Sequence, residues 1–304
     1  MDVEKACEIM GSAWSVLQNS IPGAVSALVA TLFIRRNSSI SEFEKLKQGK
    51  FAEVVDELLG KREITYVEYY KCRNFLNIAK IADKYYSNIN LNRGNDNTEK
   101  EFDFDWFFRF FDAASNVTDE QMKDLWARIL AGEITHPGTF SFRTIETLHN
   151  LSRSEAEIFA EIIQFTLKIS GHPFIINNQE LLGKYMGGVE RLMLLTECGL
   201  LMTGSVLQRR TVSVNSNTLV FDNDVVYCLA KNKNNIAGEL NINTIPFTQV
   251  GIDLFYLIYD DIRISFEFAL EAVKAVKLEN PDIIITANAY QNTENGLMLA
   301  EIQI

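Results

Sequence analysis

Reactive or ligating side chains at workable spacing are few in this 304-residue chain. The best pair is Asp282, which follows Pro281, and Glu301, on neighbouring predicted strands close to residue 304. Two such carboxylates can hold a divalent cation for hydrolysis, while a lysine two positions beyond the second acid polarises water. Gln303 stands where that lysine would be. A proline-led strand and an edge hairpin account for the same residues without any chemistry. Asp103, Asp105, Asp112, Asp119, Glu120 and Asp124 fall in a stretch, 99–133, with nine acidic residues against four basic ones. Asp119 and Glu120 follow Thr118 in what reads as the first turn of a helix, where the dipole favours acids for structural reasons. His136 and His172 each precede proline and suit turns, and His149 lies near a helix end.

The four cysteines, at 7, 72, 198 and 228, include no C-x-x-C pair, so a structural zinc site is not expected. There is no nucleophile elbow, phosphate loop or dinucleotide glycine fingerprint. Gly183 and Gly187-Gly188 sit in a helix-like segment and make a poor phosphate cradle. The residues therefore nominate no catalytic group, no metal and no cofactor. An enzyme centred on Asp282, Glu301 and Gln303 is carried only as an alternative.

Contact-making residues stand out more. Ala24 to Ile34 is an uncharged run closed by Arg35-Arg36, and its apolar residues include Leu28, Val29, Leu32 and Phe33. About 20 apolar residues are needed to span a bilayer, so the run is too short alone. Extended back to Ser12 it stays uncharged but takes in Gln18, Asn19, Ser20, Pro22 and Gly23. Residues 12–36 are expected to meet lipid at an interface or to pack in an oligomer. The first ten residues carry Asp2, Glu4 and Glu8 in place of a basic leader, so a cytoplasmic location is expected, with this run offering peripheral attachment to the inner membrane.

The whole chain holds 40 acidic and 29 basic residues, a formal charge of −11. That balance opposes general nucleic-acid binding, which needs a cationic face. An apolar share of 47% and a charged share of 23% belong to a globular protein with a core, excluding wholesale disorder and a polytopic membrane protein.

The elements that must position these residues begin with helices. Val3, Ala6, Cys7, Met10, Trp14 and Leu17 recur at helical spacing until Pro22-Gly23; Ser41 with Glu44, and Thr65 with Glu68, open two more helices as capping boxes. These predict an N-terminal helical bundle over 1–92. The polar stretch 88–100 reads as a linker, and a second domain is expected over 99–304. There, Trp106, Phe107, Phe108, Phe110 and Phe111 are too many aromatics for one helix face. Thr118 and Gln121 predict a capping box ahead of Met122, Leu125, Trp126, Ile129 and Leu130, with Gly132 as the C-terminal cap. Ser152-x-x-Glu155 opens another helix, and a further one is expected over 179–198. Strands follow near 206–214, 218–221 and 225–230, then, after Pro246 and Phe247-Thr248, a helix with Leu254, Phe255 and Leu257, another over about 265–278, and a hairpin of Ile283–Ile285 with 297–304.

Helix, helix, Cys198-Gly199-Leu200-Leu201, hairpin and Phe247-Thr248-x-x-Gly251 is the order of a winged helix. The expected fold is mainly α, with an α+β, winged-helix-like C-terminal region. Its recognition-like segment 179–198 carries Lys184 and Arg191 against Glu180, Glu190 and Glu197, and Arg209-Arg210 are the only paired bases at the candidate wing. A DNA-reading helix needs more cations, so nucleic acid is not the expected partner.

Asp105-Trp106-Phe107-x-x-Phe110-Phe111-Asp112, Thr118-Asp119-Glu120-x-Met122-x-x-Leu125-Trp126-Ala127-x-Ile129-Leu130-Ala131-Gly132-Glu133 and Pro137-Gly138-Thr139-Phe140-Ser141-x-Arg143-Thr144 resemble the central signature of an uncharacterised bacterial family of unknown function. The match runs on through Leu148-x-x-Leu151-Ser152-x-x-Glu155-Ala156. The later Gly199-Leu200-Leu201 and Phe247-Thr248-x-x-Gly251-x-x-Leu254 features resemble abortive-infection alpha proteins of phage defence. Pro281-Asp282 with Glu301-x-Gln303 loosely resembles the P-D…E-x-K arrangement of metal-dependent nucleases. The expectation is a non-catalytic sensor or effector of bacterial defence acting through a protein partner, a homo-oligomer or a membrane. The nuclease and a winged-helix DNA-binding regulator are the alternatives.

Overall fold

The computed structural model describes residues 59–60, 62, 65–91, 103–202, 208–214, 218–222, 226–232, 238–293 and 296–302. The expected helices over 3–17 and from Ser41, the apolar run with Leu28, Val29, Leu32, Phe33, Arg35 and Arg36, the expected boundary at 92–99 and Gln303 lie outside the described residues. The described chain is mostly helical with an antiparallel sheet, and it forms two compact units, Met1–Ile145 and Glu146–Ile304.

Aromatic packing organises the first unit. Helix α1 (Tyr66–Leu91) packs against α2 (Phe104–Ala114) and α3 (Glu120–Thr135). Asp103 caps α2 by accepting from the backbone N–H groups of Asp105 and Trp106, at 2.9 and 3.2 Å. Trp106, Phe107, Phe110 and Phe111 are all buried, as expected for a helix covered on several sides. The Phe75 ring of α1 meets Phe107 and Phe110 edge-on, and Phe110 stacks on Trp106. On α3, Met122, Trp126, Ile129 and Leu130 are buried. Its N-cap is Asp119, which accepts from Gln121 and Met122, not the expected Thr118: the carboxylate outcompetes the hydroxyl one residue earlier. Nor does α3 stop at Gly132; it continues to Thr135.

Helix α4 (Phe142–Asn150) spans the division, and α5 (Arg153–Ile163) opens the second unit on the capping box of Ser152 and Glu155. Strands β1 (Leu167–Ile169) and β2 (His172–Ile176) then form a hairpin. Ser170 and Gly171 both have positive φ, 51° and 78°, the signature of a two-residue hairpin turn. The single helix expected over 179–198 is two, α6 (Gln179–Tyr185) and α7 (Val189–Glu197). Gly187 and Gly188 separate them with φ of 70° and 97°, which a continuing α-helix cannot accommodate.

Next come β3 (Gln208–Val214), β4 (Thr218–Asp222), β5 (Val226–Asn232) and β6 (Gly238–Pro246), then α8 (Gln249–Ile258), α9 (Phe266–Glu279), β7 (Ile283–Thr293) and β8 (Gly296–Ile302). The strands join in the order β3-β6-β2-β1-β4-β5-β7-β8, and every pairing is antiparallel. Helix α9 lies against β5, β6 and β7, burying Phe268, Ala269, Ala272, Val273 and Val276. At its end the buried Asn280 amide accepts from Asn241 N–H and donates to Asn241 C=O, both at 2.9 Å, so one side chain serves the β6 backbone as another strand would.

Candidate functional site

The two motif-dense stretches turn out to be structural joints. Glu133, 1% exposed on α3, accepts from the backbone N–H groups of Gly138 and Phe140, at 2.5 and 3.0 Å, and so ties down the turn after its own helix. Burial raises its carboxyl above the ordinary range, and the bonds from Gly138 and Phe140 oppose that shift. Trp106 closes the same turn by donating its indole N–H to Phe140 C=O at 2.7 Å. Gly132 leaves room for the Phe140 ring, since a Cβ there would sit 2.8 Å from Cε2. The residues of this motif therefore hold a corner in the core.

The second joint unites the two C-terminal motifs. Gly199, at φ 76°, ends α7: Leu200 N–H reaches Leu195 C=O and Gly199 N–H reaches Thr196 C=O, the Schellman pattern. Thr248 caps α8 by accepting from Gly251 N–H at 3.0 Å, donates to Gly199 C=O at 2.6 Å, and bonds Leu200 C=O through its own N–H. A bridge between Leu201 and Phe247 completes the contact.

The carboxylates nominated for metal chemistry are not brought together. Asp282 is exposed just ahead of β7, and Glu301 on β8 stands opposite Asn288, six residues further along β7. At about 3.3 Å per residue their backbones are about 20 Å apart, whereas ligands of one hard cation lie within about 2.6 Å of it. Among the described residues no group of three or more His, Cys, Asp or Glu is placed to hold a metal ion. Asp119 is spent on capping, and Asp124 accepts from Tyr85 Oη and Arg128 Nε, at 2.7 and 2.8 Å. Asp103 caps α2, Asp105 and Asp112 are exposed, and Glu120 pairs with Lys123 at 2.7 Å. His136, His149 and His172 are exposed and separate.

Of the two arginines at the candidate wing, Arg210 is the one whose side chain is described. Arg209 on β3 stands opposite Asn243 of β6. Arg210 is half-buried with its guanidinium over the Phe174 ring, 5.3 Å from the centroid, and burial lowers its basicity. In the recognition-like segment both bases are engaged. Lys184 pairs with Glu271 at 2.7 Å and Glu267 at 3.5 Å, and Arg191 pairs with Glu161. What α7 leaves outward is Val189 and Met193, 46% and 58% exposed, flanked by exposed Glu190 and Glu197. Among the described residues Glu190 and Glu197 have no cationic partner.

Glu197 also lines a groove of about 410 Å³, together with Glu146, Asn150 and Leu151 in and just after α4, Glu155 at the start of α5, and Leu194 and Cys198 at the end of α7. The Ser152 hydroxyl and N–H hold Glu155 below the ordinary carboxylate range, so it is charged at neutral pH. Burial and the neighbouring Glu155 push the Cys198 thiol up to about 11, which keeps it protonated and a poor nucleophile. Sequence reasoning missed this groove because its parts come from three separate segments; the signal it could have used is the pairing of Val189 and Met193 with Glu190 and Glu197 on one helix face.

Fold and site together define a helix-rich protein with an antiparallel sheet, whose sequence motifs hold structural joints among the described residues and whose α7 presents an acidic and apolar surface. The chain belongs to the protein family of unknown function DUF2806, whose model matches residues 61–270. No curated protein and no solved structure matches it.

Proposed function

We propose that the protein is a non-catalytic interaction protein, a sensor or effector of bacterial anti-phage defence of the abortive-infection kind. It acts through a protein partner engaged by α7, with the N-terminal run 12–36 serving self-assembly or membrane association. The observation that carries this reading is the outward stripe of Val189 and Met193 between Glu190 and Glu197, on a helix whose one base, Arg191, is already paired. Exposed Met flanked by acids suits contact with protein and repels phosphate. The winged-helix reading is supported by the sequence α5, β2, α6, α7, β3, β6 and by the sheet order β3-β6-β2, with α7 in the recognition position. The defence role rests on the resemblance of the joint between Gly199 and Gly251 to abortive-infection alpha proteins.

The test is phage challenge of cells expressing the intact chain, beside Val189→Asp/Met193→Asp and Leu28→Asp/Leu32→Asp. Plating efficiency should fall with wild type and recover with the α7 variant, whose circular dichroism should match wild type. Membrane fractionation of the Leu28→Asp/Leu32→Asp variant reads the N-terminal arm. Unchanged plating across a phage panel would sink the defence role, and full protection by the α7 variant would sink the role of that helix.

A further inference from the structure

The groove beside α7 has a chemistry that selects its occupant. Three carboxylates, Glu146, Glu155 and Glu197, line it, and no lysine or arginine does. Helices α4 and α7 end there and their carbonyl termini add negative potential, while the opposing N-terminus of α5 is met by its own Glu155. Leu151 and Leu194 supply an apolar floor, and the exposed Met193 and Val189 extend that apolar character along α7. A compact metal ion does not fit, because the lining acids do not form a ligand cluster. A cation on a long aliphatic stem does: the stem lies on leucine and the charged head meets the carboxylates.

We propose that this groove docks a lysine- or arginine-bearing amphipathic segment of a partner protein, with its apolar residues on Val189 and Met193 and its cation between Glu146 and Glu197, since Glu155 is engaged in the Ser152 capping box. The inference rests on the reading of α7 as a partner-contact helix and adds the chemistry of the partner. Charge complementarity chooses this occupant over an acidic or purely apolar one.

Fluorescence anisotropy with the full-length protein tests it, using a labelled amphipathic helical peptide of leucine and lysine as the probe. The companion probes carry glutamate for lysine or serine for leucine, and spermidine is the competitor. The leucine–lysine peptide should bind, the glutamate peptide should not, and the serine peptide should bind more weakly. Glu146→Gln/Glu197→Gln should weaken binding about fivefold to tenfold. Glu239→Gln/Asp260→Asn, which changes net charge equally at exposed sites elsewhere, should leave it unchanged.

Equal loss in that control would reduce the binding to overall charge and overturn the proposal. So would absence of binding, or spermidine and the serine peptide matching the leucine–lysine peptide, which would mark a polyamine site. If Val189→Asp/Met193→Asp abolishes phage protection while the Glu146/Glu197 variant protects fully and no peptide binds, the role of α7 stands and this inference fails. Peptide binding without any phage protection leaves the groove in place and removes the defence role.

Discussion

Glu133 shows how a single carboxylate can be both costly and indispensable. It is buried in the first unit, and its two oxygens satisfy Gly138 and Phe140 N–H groups. Removing both acceptors leaves the buried Phe140 N–H unpaired and frees the turn at the exposed Gly138, so Glu133→Ala should lower the stability of the first unit by about 1–3 kcal/mol in denaturant titrations. The pH dependence has the opposite sign to that of a salt-bridged acid. Burial raises the folded carboxyl above its unfolded value, so the folded state holds its proton more tightly. The favourable contribution is complete below the unfolded value and is lost as pH rises through the folded one. Wild type should therefore gain stability from this residue on acidification, and that contribution should be missing from Glu133→Gln. A slope unchanged in the variant would show that other groups carry it.

Among elements, the joint between α7 and α8 controls where the interaction stripe points. A Cβ at Gly251 would lie 2.0 Å from Leu200 C=O and 3.2 Å from the Phe247 ring. Backbone cannot yield as a flexible side chain can, so Gly251→Ala should cost about 3 kcal/mol or more, despite alanine's better helix propensity of about 1 kcal/mol. A melting temperature equal to wild type would contradict that close approach.

Several elements were legible because their signals are local. The Ser152-x-x-Glu155 box, the α2 aromatics and the stripe on α3 are each contained within a few turns. Others were hidden by competition or distance. Gly132 reads as a cap, yet its space is taken by the Phe140 ring. Gly187-Gly188 announces a break, but the apolar periodicity on both sides masks it. The β1–β2 hairpin is short, with Ser170-Gly171 as its only turn signal. Pairing of β3 with β6 skips two intervening strands, which no local pattern encodes. The groove was the least legible, since nothing in one segment tells which other helix ends will meet it.

For the molecule as a whole, charge sets what can approach. The net charge is −11, and among the described side chains of the segments expected to meet DNA, Lys184 and Arg191 are paired with carboxylates and Arg210 is half-buried. Duplex DNA should accordingly show no shift with the purified protein at physiological salt, and binding that appears in low salt should disappear on moderate salt addition. A stable, salt-resistant complex would restore the regulator alternative.

The placement of the indole rings has a practical outcome. Of the three tryptophans, Trp106 and Trp126 are buried in the unit ending at Ile145, and Trp14 lies outside the described residues. Emission from these two rings is thus an optical channel for the core shared by α1, α2 and α3. Spectroscopy excited at the red edge can follow that core in the intact molecule without labels.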